Sequence, residues 1–214
     1  RALSFIKAII SKNEVTVYAS TIERLHNNGE NLGVMVGNNS GNISVNIERV
    51  NKMPSLISNL VKLLGNACVD EEAPTGAINM LGFRPDDKIE YNCVVIYKDI
   101  IKEYAAYYST CENYLNAYDD SNIRGKAKIL KCVHTWYLHA KGEIILQNRL
   151  LEKGEMDIVR ENADNIIEKV KQHILKVVRE SGEMEVTYQE DMELGIECFT
   201  CYCFMECKIL EKPL

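Results

Sequence analysis

The sequence lacks the features that mark membrane proteins and polyanion-binding proteins. Its most apolar stretch, residues 194–210, is too short and too charged at its ends to cross a bilayer, so we expect no membrane insertion. Basic residues are in the minority, since 25 Lys and Arg face 31 Asp and Glu for a net charge of −6. Only residues 1–67, with seven basic and four acidic residues, carry a net positive charge, and this charge would attract nucleic acid only weakly.

Short motifs that carry chemistry are also missing. No Ser or Cys lies in a nucleophile-elbow context, and no helix face places paired carboxylates beside a base. The Gly-rich segment 37–42 lacks the Lys and the following helix of a phosphate-binding loop. Pro85-Asp86 with Glu90 lacks the acid-x-Lys strand of restriction-type nucleases. We therefore predict no catalytic residue, no metal site and no cofactor in this chain; an enzyme with an unrecognised site or a DNA-binding regulator is the alternative.

Eight cysteines are present, but we do not expect a disulfide framework. The chain opens on Arg1 with neither an initiator Met nor a signal peptide, so we expect a longer protein with reduced thiols in the cytoplasm. Four of the cysteines fall in the last helical pattern, at Cys198, Cys201, Cys203 and Cys207. On a continuous helix they point in two pairs to opposite sides, so one zinc ion could not bind all four. We therefore expect these four cysteines to be buried as small apolar side chains, and we do not expect them to bind zinc.

The N-terminal part, residues 1–67, is predicted to be a small α+β segment. Residues 2–11 show a helical pattern, and residues 15–19 alternate like a strand. A β-hairpin is predicted at about residues 32–48, because uncharged alternating residues flank a Gly/Asn turn, and a helix follows at about 54–67. The uncharged hairpin could pair with a second subunit through Val34, Val36, Ile43, Val45 and Ile47.

Residues 68–90 are predicted to be a linker, because two prolines, two glycines and a local excess of acid interrupt the apolar pattern. Residues 91–214 then form a helical assembly domain whose apolar seams predict four long helices. Short connections between them favour antiparallel packing. The predicted fold class is therefore mainly α, an antiparallel bundle of four long helices with a small N-terminal α+β segment that contains a β-hairpin.

The last of these helices is the most apolar element of the chain. A capping pattern places its start near Tyr188, and twelve of the seventeen residues from Leu194 to Leu210 are apolar. A narrow polar stripe includes Thr200, while Glu206 lies opposite that stripe and needs a partner from another helix or another chain. We therefore expect this helix to be covered both by its own bundle and by a partner protein.

Three segments carry a resemblance to a known family: the terminal FMECKILEKPL, the pattern IYKDIIKEYAAYYSTCENYLNAYDD and the later ADNIIEKVKQHI. Over roughly residues 88–214 the sequence resembles the C-terminal domain of ABC-three-component systems, the group that includes the Lamassu anti-phage defences of bacteria. Residues 1–67 match no pattern of that family.

The resemblance implies that the C-terminal helices dock onto an SMC/Rad50-like ATPase, which binds ATP and Mg²⁺, and onto a small middle component. It also implies an effector in the N-terminal part, often a DNA endonuclease. This chain departs from that pattern because its 214 residues contain no nuclease motif, so we expect the effector upstream, DNA contact through the complex, and self-association of the subunit. The docking face is expected at nine residues: Tyr202, Phe204, Met205, Glu206, Lys208, Ile209, Leu210, Glu211 and Pro213.

Overall fold

The chain divides into two units, residues 1–51 and residues 52–214, in a computed structural model. This division precedes the linker that the sequence predicted at 68–90. The structure describes residues 4–11, 14–21, 53–69, 83–121, 124–181 and 188–213. The described residues are mainly helical, so the described part of the chain is of the mainly α class.

Two antiparallel strands, β1 (Ser4–Ser11) and β2 (Glu14–Thr21), are the described elements of the first unit. Strand β2 contains the predicted strand, but the helix predicted at residues 2–11 is wrong. That segment is short and rich in isoleucine, and a short apolar run with β-branched residues fits a pleated strand as well as a helix. The predicted hairpin at 32–48 and its five pairing residues lie outside the described residues.

The second unit consists of α-helices joined by mostly short connections. They are α1 (Leu56–Ala67), α2 (Pro85–Tyr91), α3 (Lys98–Tyr104), α4 (Tyr108–Ser121), α5 (Gly125–Gln147), α6 (Glu155–Glu161), α7 (Ala163–Glu180) and α8 (Gln189–Met205). Helix α2 lies inside the predicted linker, and it begins there because Pro85 occupies the first turn and Asp87 accepts a hydrogen bond from the Arg84 backbone N–H at 3.0 Å.

Two of the predicted long helices are interrupted. A 3₁₀ turn at Ala105–Tyr107 separates α3 from α4, and the turn lets Tyr107 donate a hydrogen bond to the Cys68 carbonyl at 3.1 Å. Asn162 separates α6 from α7, because its side-chain amide donates to the Ile158 carbonyl at 2.8 Å and competes with the helical backbone. The apolar seams continue through both breaks, which is why the sequence pattern did not reveal them.

Helix α8 lies at the centre of the second unit and packs most extensively against α1, with α3, α4 and α7 as its other neighbours. Two glycines permit this crossing. A Cβ atom on Gly195 would lie 2.0 Å from the carbonyl oxygen of Val61, and one on Gly65 would lie 2.0 Å from that of Asp191. The backbones therefore touch directly, and α1 belongs to the helical unit instead of to a separate N-terminal segment.

The predicted polar stripe of α8 is covered along part of its length. Thr200 is buried, and it satisfies its hydroxyl by donating to the Ile196 carbonyl at 2.7 Å. Glu197 forms an ion pair with Lys171 of α7. Only the first turns of α8 therefore face solvent, and the helix ends at Met205, before the tail begins.

Candidate docking surface

The C-terminal segment, residues 206–213, turns back onto the helices instead of extending from them. Cys207 adopts a left-handed conformation with φ of 53°, and the N–H of Lys208 donates to the Cys203 carbonyl at 2.9 Å, which closes the end of α8. Leu210 is also left-handed, with φ of 59°. As a result, Ile209 and Leu210 return to the core, where at most 2% of either residue is exposed.

Lys88 of α2 holds this turn from inside the protein. Its side chain is fully buried, and its Nζ donates to the carbonyl oxygens of Phe204 and, at 2.9 Å, of Ile209. The same Nζ lies 4.5 Å from the centre of the Phe204 ring. Burial lowers the pKa of Lys88 to about 8, because leaving water disfavours the ammonium. A buried cation thus links α2 to the end of α8.

Asn92 and Glu211 fasten the last residues of the segment. The Asn92 amide donates to the Glu211 carbonyl at 2.9 Å and accepts from the Glu211 N–H at 3.1 Å. The Glu211 carboxylate accepts from Tyr137 and from Lys141, each at 2.6 Å. Burial alone would raise the pKa of Glu211, but these two donors outweigh it and the pKa is lowered. The tail is therefore part of the fold.

The partner that Glu206 requires is found in the same chain. Its carboxylate accepts a hydrogen bond from the Tyr108 hydroxyl at 2.6 Å. The sequence required a partner from another helix or another chain, and Tyr108 of the same chain takes this role. Burial, and then the hydrogen bond to Glu206, raise the pKa of Tyr108, so its hydroxyl remains a donor.

Most of the predicted docking face is occupied by the chain itself. Five of its residues have exposed fractions of at most 2%: Tyr202, Phe204, Met205, Ile209 and Leu210. The other four are half-buried: Glu206, Lys208, Glu211 and Pro213. Because the chain's own helices already cover the five apolar residues, a partner cannot contact them in this conformation. The predicted interface at these nine residues stays a prediction, and in the free chain its five apolar members pack in the core.

The cysteine cluster gives no metal centre among the residues that the structure describes, which contain no group of three potential ligands. Cys198, Cys201 and Cys203 are buried, and burial raises the pKa of Cys203, so its thiol stays protonated. Cys207 lies beyond the end of α8. All eight cysteines are free thiols.

Five exposed large apolar residues lie at the end of α5 and in the connections that follow α2 and α5. Helices α5 and α7 are antiparallel, because Trp136 stacks on His173 at 5.1 Å while Glu143, further along α5, binds Lys169, nearer the start of α7. The end of α5 therefore lies beside the start of α7. We call two groups of exposed residues the apolar end: Val95 and Ile96 before α3, and Leu146, Leu150 and Leu151 at and after the end of α5.

The two parts of the apolar end lie on different faces of α7: Asp164 binds the connection between α2 and α3, whereas Lys169 and His173 face α5. The Asp164 carboxylate accepts backbone N–H bonds from Val95 at 3.0 Å, Ile96 at 2.9 Å and Tyr97 at 3.0 Å. This fixes the connection between α2 and α3 and leaves the side chains of Val95 and Ile96 with exposed fractions of 74% and 73%. Leu150, just past the end of α5, is 90% exposed. The surface is apolar on a backbone that is held in place.

No protein-family model, no curated protein and no solved structure matches the chain. Across the described ranges, no helix combines the length and the hydropathy that a membrane span requires. The sequence missed Lys88, Asn92 and Asp164, which lie in or beside connections and carry no motif. It also missed the apolar end, because Val95 and Ile96 fell inside a predicted helix.

Proposed function

We propose that this chain is a docking module of a cytoplasmic, bacterial anti-phage defence complex of the ABC-three-component kind. The apolar end would meet an SMC-like ATPase, with ATP and Mg²⁺ on that partner, and a middle component would join the same assembly. An effector encoded upstream, a DNA endonuclease by the resemblance, would be held by the module. The helices α3–α4, α5, α6–α7 and α8 would serve as its antiparallel four-helix scaffold.

The observation that carries this proposal is the exposure of large apolar residues on a fixed backbone. Soluble domains expose single leucines routinely, but neighbouring pairs and triplets such as Val95 with Ile96, and Leu146 with Leu150 and Leu151, form surfaces that water solvates poorly. A preorganised apolar surface loses little conformational freedom on binding, so more of its burial contributes to affinity. Four other exposed apolar residues border segments that the structure does not describe or lie in α1: Met53, Leu63, Val69 and Tyr188.

The buried tail contributes to docking indirectly. The motif that carries the family resemblance places Phe204 under Lys88, Ile209 and Leu210 in the core, and Glu211 on Lys141. It therefore acts as a structural signature of the scaffold. Deletion of residues 188–214 would remove the central helix and unfold the unit, so loss of binding by such a deletion would say nothing about the interface.

Point substitutions in α5 and just after its end test the proposal. Leu146 and Leu138 have exposed fractions of 59% and 51% on the same helix, but only Leu146 belongs to the apolar end. We expect Leu146→Asp and Leu150→Asp to weaken binding of the SMC-like ATPase from the same locus by about tenfold or more, because a central apolar contact contributes ~2 kcal/mol or more. Leu138→Asp should bind as the unsubstituted chain does.

Co-purification of the two proteins, followed by titration calorimetry, provides the measurement. Equal binding by all three variants would contradict the docking role of the apolar end. Sedimentation of the chain alone distinguishes self-association, since a dimer through this end would dissociate in Leu150→Asp. Salt-dependent binding of DNA by the chain alone would instead favour a nucleic-acid-binding regulator.

A further inference from the structure

A cavity of about 520 Å³ lies between the first turns of α5 and the C-terminal segment. This volume is within the range of small-molecule sites. Its walls include Leu130, Lys131 and His134 from α5, Cys207 and Lys208 from the C-terminal segment, and Asp119 from α4. The cavity lies within the second unit and uses none of the residues of the apolar end.

Two lysines of this cavity lack an anionic partner. Neither Lys131 nor Lys208 has an ion pair with any carboxylate of the described residues, whereas Lys126, which also lines the cavity, is paired with Glu112 of α4. Lysines elsewhere in the unit are commonly paired in the same way, as Lys141 is with Glu211. Among the described residues, the cavity therefore presents two ammonium groups that have no ion-pair partner.

One carboxylate, that of Asp119, opposes this positive charge, and it is already engaged. Its Oδ1 accepts the backbone N–H of Lys126 at 3.0 Å, in the first turn of α5, where the helix dipole favours an anion. The two walls are joined where Nδ1 of His134 lies 3.4 Å from the Lys208 carbonyl oxygen. The lysines of the lining outnumber this carboxylate, so the net charge of the described lining is positive. Leu130 forms an apolar part of the wall.

We propose that this cavity binds the phosphate group of a small phosphorylated molecule. Lys131 and Lys208 supply the charge-assisted hydrogen bonds, since an ammonium binds phosphate as a point charge. Leu130 contacts the organic part of the ligand. Phosphate is favoured over a carboxylate because a dianion matches two unneutralised ammonium groups.

Cys207 provides a local readout, because its half-buried thiol lines the cavity. Cys132 is an internal control, since it is exposed on α5 beside Lys131 and does not line the cavity. The full chain is treated with iodoacetamide while inorganic phosphate or adenosine monophosphate is titrated, and peptide mass spectrometry reports labelling at each thiol. We expect saturable protection of Cys207 and unchanged labelling of Cys132. Calorimetry gives the affinity in parallel.

Charge reversal then tests the two lysines. Lys131→Glu and Lys208→Glu should each weaken binding by about tenfold or more, the effect of losing one charge-assisted hydrogen bond. Lys128→Glu is the matched control, because Lys128 is exposed on the same turns of α5 and lies outside the lining. Thermal unfolding checks that each variant is folded.

The ligand source is decided by comparing the two probes. Equal protection by both supports a site for free phosphate, and stronger protection by the nucleotide supports a phosphate ester with its organic part on Leu130. Absence of saturable protection and of binding heat with both probes overturns the proposal. Equal weakening by Lys128→Glu also overturns it, because the attraction would then be a general effect of charge.

Discussion

Replacing Gly195 by alanine tests the backbone contact between α8 and α1. The new Cβ would lie 2.0 Å from the Val61 carbonyl oxygen and 3.0 Å from the Gly65 nitrogen. Since a carbon and a carbonyl oxygen approach to about 3.3 Å at the closest, the helices must separate locally by about 1 Å. Alanine favours the helical state by ~1 kcal/mol relative to glycine. Against this, forcing a methyl group into the contact costs ~1–3 kcal/mol or more, and moving α8 away from α1 exposes buried residues of both helices.

We therefore expect Gly195→Ala to lower the free energy of unfolding by ~2 kcal/mol. Gly142→Ala in α5 is the matched control, because a Cβ there meets nothing within 4 Å. It should stabilise the protein by ~1 kcal/mol, which leaves a difference of about 3 kcal/mol between the two variants. Urea unfolding followed by circular dichroism at neutral pH measures both, and the midpoints should differ by about 1 M or more. A Gly195→Ala variant as stable as Gly142→Ala would refute the close crossing.

Three further variants test the segments that hold the unit together. Lys88→Met should lower the free energy of unfolding by ~2 kcal/mol at pH 7, because the Ile209 carbonyl loses its donor. The difference in unfolding free energy between the variant and the unsubstituted chain should grow as pH rises from about 8 towards 10.5. In this range Lys88 loses its proton in the folded state before it does so in the unfolded state, which stabilises the unsubstituted chain. Glu211→Gln should cost ~1 kcal/mol at pH 7, after solvent screening. Because the folded pKa of Glu211 is lowered from 4.5, this difference should be lost as pH falls below that value, as urea midpoints would show. Asp164→Ala should expose the amides of the connection between α2 and α3 to faster hydrogen exchange.

The burial of α8 could be predicted because apolar residues cover nearly its whole circumference, and a helix of this kind must be enclosed. Its main neighbour could not be predicted. Helix α1 is distant in sequence, and the approach of Gly195 to Val61 and of Gly65 to Asp191 becomes visible only in the folded protein. A glycine in a helical pattern indicates a local loss of helix stability. It does not show which other helix packs against it.

The role of the C-terminal segment could be predicted only in part. Its apolar residues indicated burial, but burial within the chain and burial against a partner give the same pattern. What separates the two is the position of Lys88 and Asn92, which bind backbone carbonyl groups more than a hundred residues away. Backbone acceptors leave no mark in the sequence, so neither residue could be singled out.

We propose that a partner docks on the apolar end while the C-terminal segment stays inside the chain. Hydrogen–deuterium exchange of the chain, free and in complex with the SMC-like ATPase, tests this directly. We predict slower exchange on binding in residues 95–97 and 146–151, with residues 199–210 already protected in the free chain and unchanged in the complex. New protection confined to residues 199–210, with the apolar end unchanged, would contradict the claim.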